Sequence, residues 1–498
     1  MNESVSRLGE CDEAHPRAVS VAAKIEIMHK DEWGYATTAG GAGAVRQLEG
    51  AFDCYVHFRG DIAGCTQAAL ELDEDFALAQ AFRGYIGVLG TEPVAAAAAR
   101  VHLDAYLARA DQSKLLERER LHLAAADAFL NGDFHGASHA LENISRAYPR
   151  DVMALIVGHQ IDFFTGDALR LERRVGDALH AWTSDDLHHS NLLGMHAFGL
   201  EEMGQHTRAL EVGLEAVTRN PKDVWGIHAV THTYEEMGRF GEGTRFFDDR
   251  LNDWTSGNYF NLHNWWHYAL FALELGDDDK ALAINDAVLF TDNKGDNALE
   301  LLDSSALCWR LLLEGRTMGD RFAQQAAIWR KKIDPAFYAF NDMHAVMSFV
   351  GAGAESDAIT LIQNRERWLE TLPPASVSNA RMTREIGLPV CKALLEFGRG
   401  NYAACVRYLY PIRQRLHEFG GSHAQRDAVL KTLLEAALRD GQYALARDLS
   451  AERMDARPRS PYNWQKHAVA LHGLGETAKA AVIAHGAVER REAGRALV

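Results

Sequence analysis

Strand-forming stretches are nearly missing from this 498-residue chain, and only 11 prolines interrupt it. Without alternating apolar runs there is no sheet to carry a dinucleotide crevice, a phosphate loop or a nucleophile elbow. The motifs GxxxxGK(S/T), strand-bound GxGxxG and GxSxG, and the kinase set, are all absent. The six cysteines (Cys11, Cys54, Cys65, Cys308, Cys391 and Cys405) are scattered, with no CxxC pair. That excludes a disulfide framework and a zinc knuckle and points to a reducing compartment. No charge-free apolar run reaches the roughly 18 residues of a membrane span. The start, MNESVSRLGECDEAHPRAV, has no basic segment leading into an apolar one, so no signal peptide and a cytoplasmic location are expected. Positive charge is also short: 52 basic against 69 acidic residues give −17. Phosphate-backbone affinity comes from Lys and Arg, so neither nucleic acid nor membrane is an expected partner.

What is present is helix. Hydrophobic residues are 47% and charged residues 24% of the chain, the balance of a folded protein. Apolar positions recur at helical spacing almost throughout. Superimposed on this is a repeat: a Gly ends a helical stretch, an Ala follows five residues later, and in some units a Pro follows after seventeen. Gly132, Ala137 and Pro149 keep this register, as do Gly204, Ala209 and Pro221, and Gly441, Ala446 and Pro458. Gly132 to Gly166, Gly204 to Gly238, and Gly441 to Gly475 are each 34 residues apart, with Gly276 and Gly400 opening further units less regularly. That is the tetratricopeptide period, a helix–turn–helix unit. Gly releases the first helix, the small Ala lets the second approach it, and Pro stops the second. The expected fold is therefore all-α, a tetratricopeptide-repeat-like helical-hairpin solenoid curled around a central groove or cavity. Residues 1–30 read as a flexible arm, 31–290 as N-terminal and central repeats, 291–380 as a helical segment completing the site, and 381–498 as C-terminal repeats. TTAGGAGA (37–44) reads as a loop, and 291–300 and 368–380 as longer connections.

Two segments carry chemistry. In WGIHAVTHTYEEMG, His228 and His232 are four apart, and Glu235 or Glu236 falls on the same helical face; Glu236 is taken as the site carboxylate. In NLHNWWHYALF, His263 and His267 repeat the spacing in the next unit. First helices of such units line the concave surface, so the two pairs are expected to share one groove. Helix-borne His at i and i+4 hold one divalent metal in other proteins, and facing helices build such sites from inward His and Glu. Without metal, imidazoles do acid–base work near neutral pH. The packing alternative is a hydrogen-bonded network in which the imidazoles satisfy one another and Asn261, Asn264 and Glu236. Cys308, flanked by Leu307 and Trp309, reads as core.

These segments, with RERLHLAAADAFLNGDF (118–134), ELLDSSALCWRLLLEG (300–315), FNDMHAVMSFVGA (340–352) and GGSHAQRD (420–427), resemble the tetratricopeptide repeat protein 38 family over nearly the whole chain. The resemblance implies two further site residues, Asp303 and His344. The bland readings are an Asp303–Arg310 pair and a helix-start cluster of Asn341, Asp342 and His344. In GGSHAQRD, Ser422 is placed to cap a helix, while Arg426 either reaches an anionic ligand or packs between repeats.

The expected function is a small-molecule enzyme, a hydrolase or lyase acting on a small polar substrate by metal-assisted hydrolysis or acid–base chemistry. His228, His232, His263 and His267 would be catalytic and metal-ligating, with Glu236, Asp303 and His344 completing the set. Trp225, Trp265, Trp266, Asn264, Arg310 and Arg426 would contact substrate. The cofactor would be Zn, Mn or Fe, or none. The alternative is a scaffold binding a peptide or protein in the concave groove without catalysis. Oligomeric state is left open.

Overall fold

The structure, a computed structural model, describes residues 28–291, 297–372 and 377–498. The arm apart from residues 28–30, Cys11, and the middles of the two longer connections lie outside the described residues. Nearly every described segment is helical, and consecutive helices pack as antiparallel hairpins. Among the described residues the one sheet is a two-residue pairing of His29–Lys30 with Ala36–Thr37, which fixes the end of the segment read as an arm.

The sequence register is the turn register. Gly132, Gly166, Gly204, Gly238, Gly276, Gly400, Gly441 and Gly475 all have φ between 65° and 80°. At Gly204 the left-handed residue lets its N–H reach Glu201 O (2.8 Å) and the N–H of Gln205 reach Leu200 O (2.8 Å), closing the helix. Ala137, Ala209 and Ala446 are fully buried where second helices meet first. The helices Phe134–Ala147, His206–Arg219 and Tyr443–Ala456 stop just before Pro149, Pro221 and Pro458.

Three expected loops are shorter than read. Helix Ala42–Val56 begins inside TTAGGAGA, because Ala tolerates a helix start that Gly40 and Gly41 do not extend. Asn297 caps helix Ala298–Leu313, and Glu355–Thr371 and Ser378–Met382 encroach on the second connection.

The stack closes on itself. Three successive first helices, His189–Glu202, Val224–Glu236 and Asn261–Glu274, each end in a glutamate aimed at the C-terminal half. Arg426 donates to Glu202 (3.0 Å), Arg457 to Glu236 (2.9 Å), and Lys431 and Ser460 to Glu274 (3.2 and 2.7 Å). Arg495 donates to Leu275 O (2.7 Å), and Tyr338 to Phe164 O (3.1 Å). The concave face is thus an interior shared by both halves, with the apolar core running continuously through it. Among the described residues no helix is long and apolar enough to cross a membrane.

Candidate functional site

Asp223 starts the first histidine helix by accepting the N–H groups of Trp225 (3.0 Å) and Gly226 (3.1 Å). That helix lies very close to its predecessor: a Cβ on Gly194 would come within 2.4 Å of the Gly226 nitrogen. Only Gly permits this approach. The second histidine helix, Asn261–Glu274, packs on the other side, and the two HxxxH pairs meet.

His228, His232, His263 and His267 offer ligand atoms that all lie within 4.8 Å of one another. Ring centres are separated by 4.3 Å (His232–His267), 4.4 Å (His228–His232), 4.8 Å (His263–His267), 5.1 Å (His228–His263) and 5.4 Å (His228–His267). The diagonal His232–His263 is longer, at 6.5 Å. Imidazoles bound at about 2.1 Å to one ion place their centres about 4.5–5.2 Å apart; the 4.8 and 5.1 Å spacings fall in that range, and the 6.5 Å diagonal lies well outside it.

Carboxylates bond two of the four rings through Nδ1, and a third carboxylate lies near His232 without bonding it. Asp303 Oδ2 is 2.8 Å from His263 Nδ1, Glu235 Oε2 is 2.8 Å from His267 Nδ1, and Glu201 Oε2 is 3.7 Å from His232 Nδ1. Metal-bound histidines carry this kind of outer carboxylate, which fixes tautomer and ring direction. Other ring nitrogens make no hydrogen bond: His267 Nε2 and both nitrogens of His232 and His228. Burial, reinforced by neighbouring imidazoles, holds His228, His232 and His267 well below the usual histidine range, keeping them neutral. Burial also raises the Glu235 carboxyl to about 8 and, with the adjacent Glu202 charge, that of Glu201 to about 8. A cation among the rings would oppose both shifts.

His228, His232, His263 and Asp303 form one end of a cavity of 660 Å³. Its walls are mostly apolar, built from Phe58, Ile86, Phe163, Phe198, Trp225 and Phe260 among others. A small polar substrate would meet aromatic rings over much of this wall, with polar partners at residues such as Arg83, Gln160, Asp303 and Gln425. His263, with its side chain 17% exposed, is the most open of the four.

The other expected residues divide. Trp225 lines the cavity, its indole N–H donating to Val56 O (2.8 Å). Trp266 backs the site, stacked on His263 (5.2 Å, 16°). Trp265 points away, against Trp254 and Tyr268. Asn264 is fully buried, and its amide makes no hydrogen bond. Glu236 leaves the site for Arg457, and its neighbour Glu235 takes the expected role. Arg310 does not pair with Asp303: it donates to Ala306 O (3.2 Å) and to Ala424 O (2.5 Å) and lies over Trp266. Asp303 goes to His263 instead, since a residue seven along the helix is more distant than a ring on the facing helix. His344 stays outside the cluster, with Nδ1–H donating to Phe340 O (2.9 Å) and burial lowering it to about 4. Arg426 is held by Glu202 and by Gly421 O, and Ser422 caps its helix with Gln425 in a reciprocal pair (3.2 and 3.0 Å). Cys308 is core, its thiol raised by burial to about 12.

Sequence reasoning missed Glu201 and the apolar cavity wall. A signal for Glu201 existed: the EEMG of residues 201–204 recurs at 235–238, so Glu201 is the counterpart of Glu235. In both units the first Glu faces the second His of the next unit, and the second Glu faces an Arg. A further cavity of 820 Å³, lined by charged residues including Glu202, Arg381, Arg413, Asp427 and Arg453, lies on the inner face beyond His423.

No family model matches the chain. Among solved structures the chain is similar to a tetratricopeptide repeat protein from Parabacteroides merdae ATCC 43184, at 12% identity over 64% of this chain and 98% of that one, TM-score 0.30. It is also similar to a human IFIT1 dimer with m7Gppp-AAAA, at 11% identity over 93% of this chain and 96% of that one, TM-score 0.39. The assignment of helical-hairpin repeats rests on the hairpins themselves.

Proposed function

We propose that the four histidines hold one divalent transition metal, Zn, Mn or Fe, at the polar end of a small-molecule cavity. The observation that carries this is four histidine ligand atoms gathered within 4.8 Å, two of the rings bonded through Nδ1 to a carboxylate. Imidazole suits Zn and Fe better than Mn, and Asp303 and Glu235 hold the second nitrogens of His263 and His267. When bound, such an ion polarises a ligand oxygen or activates water, which is the chemistry of a hydrolase or lyase. The chain's own part is to hold the rings neutral, exclude water with an aromatic wall, and fix the direction of His263 at the open end through Asp303. The tetratricopeptide repeat protein 38 resemblance, which implied Asp303, is consistent with this site.

Elemental analysis of purified protein is expected to find about one equivalent of metal per chain, lost in His267→Ala. Absence of bound metal, together with no thermal shift on adding Zn, Mn or Fe to chelator-treated protein, would remove the metal from the reading.

A second reading has its own support. The charged 820 Å³ cavity on the inner face suits a peptide or a polar segment of a partner, the usual work of helical-hairpin solenoids. The readings part on the histidines: peptide capture survives His228→Ala and His263→Ala, whereas metal binding does not.

A further inference from the structure

The 660 Å³ cavity has a second polar feature, far in sequence from the histidines. Arg83 lines it, on helix Ala77–Leu89, beside His102 on helix Pro93–Arg109. The guanidinium donates to the neutral Gln80 Oε1 (2.6 Å), and among the described residues no carboxylate pairs with it. Its charged neighbours are of like sign: burial first, then Arg109, lower it from its usual value, and Arg83 in turn depresses His102. Of the acids on the cavity wall, Asp303 is held by His263 and Glu300 is engaged elsewhere. Much of the rest of the wall is hydrocarbon and aromatic, with Ile86, Ala99, Phe163, Phe198, Phe260 and Leu302. A guanidinium without a carboxylate beside an apolar cavity is an incomplete ion pair, and its planar fork matches a carboxylate.

We infer that the cavity takes an apolar-bodied carboxylate, its anionic end on Arg83, its hydrocarbon along the aromatic wall and its far end at His228, His232 and His263. The volume suits a molecule of that kind, since pockets of about 300–1,000 Å³ enclose ligands of drug size. This rests on the metal reading only for what meets the far end. Entry is past Ala95 and Ala98, the exposed small residues on the cavity rim.

Calorimetric titration of the full chain with decanoate, decan-1-ol and acetate tests this. Decanoate is expected to bind about tenfold more tightly than decan-1-ol, with acetate showing no binding. Arg83→Gln should erase the preference while leaving decan-1-ol affinity unchanged. Ala98→Trp, at an exposed position that leaves the fold intact, should weaken both. No decanoate binding by the unaltered protein, or a preference that survives Arg83→Gln, overturns the inference. Repeating the titration after chelation separates it from the metal reading. An Arg83-dependent preference in a protein that never binds metal sustains this inference and sinks the other. A preference that depends on metal and not on Arg83 does the reverse.

Discussion

Glu235 and Glu236 are adjacent in the chain yet serve different partners, one orienting His267 and the other bonded to Arg457. Successive residues on a helix are turned by about 100°, so a one-position difference decides which of them reaches the rings. Asp303 stands to His263 as Glu235 stands to His267. Asp303→Asn is expected to lower metal affinity about 10–100-fold, read by calorimetry, while the metal-free melting temperature stays put. An unchanged affinity would take Asp303 out of the site. His344 offers a pH test away from the cluster. Its folded value of about 4 lies below the usual 6.5, so the unfolded chain binds the proton more readily. Its contribution is therefore complete above pH 6.5 and is lost as pH falls toward 4. Relative to His344→Gln, the unaltered protein should lose about 2 kcal/mol between pH 7 and pH 5 in urea melts. A pH-independent difference would mean that the ring accepts a proton where it sits.

Helix pairs were the most legible level of this protein. Gly, Ala and Pro sit in one register because backbone sterics demand them, and those demands are local. HxxxH was legible for the same reason, being a spacing within one helix. Which face met which neighbour was not, since Glu201 and Asp303 reach the rings from other helices. Asp303 was suggested by resemblance alone. The closeness of adjacent first helices can be tested at two glycines. Gly194→Ala drives a Cβ into the backbone at Gly226 and Trp225, and should cost about 2–3 kcal/mol and displace the first histidine helix. Gly204→Ala meets no atom within 4 Å and pays only left-handed backbone strain at φ 72°, about 1 kcal/mol. Equal losses in denaturant melts would contradict the close-packing argument.

The curl of the whole molecule was anticipated from the repeat, but its closure was not. Closure depends on pairs such as Glu236–Arg457, 221 residues apart, which no local pattern announces. The apolar cavity belongs to this level too, because its walls come from helices spread from Tyr55 to Gln425. Arg457→Ala leaves Glu236 buried without its cation and should cost about 3–5 kcal/mol. Hydrogen exchange in Asn261–Glu274 should rise with it, because the C-terminal half no longer covers that helix. Unaltered protection there would show that closure does not hold the site.

The glutamate ladder that joins the two halves also sets an order of events during synthesis. Hairpins near the start can stack as each one leaves the ribosome. Glu236 must then wait for Arg457, which at typical synthesis speeds is roughly 10–45 s later. Until that time the histidine helices exist without their cover, open to water and to any chaperone or ion that arrives early. The protein therefore finishes its interior last, and a ribosome stalled before residue 457 would hold a stack with its central chamber still unsealed.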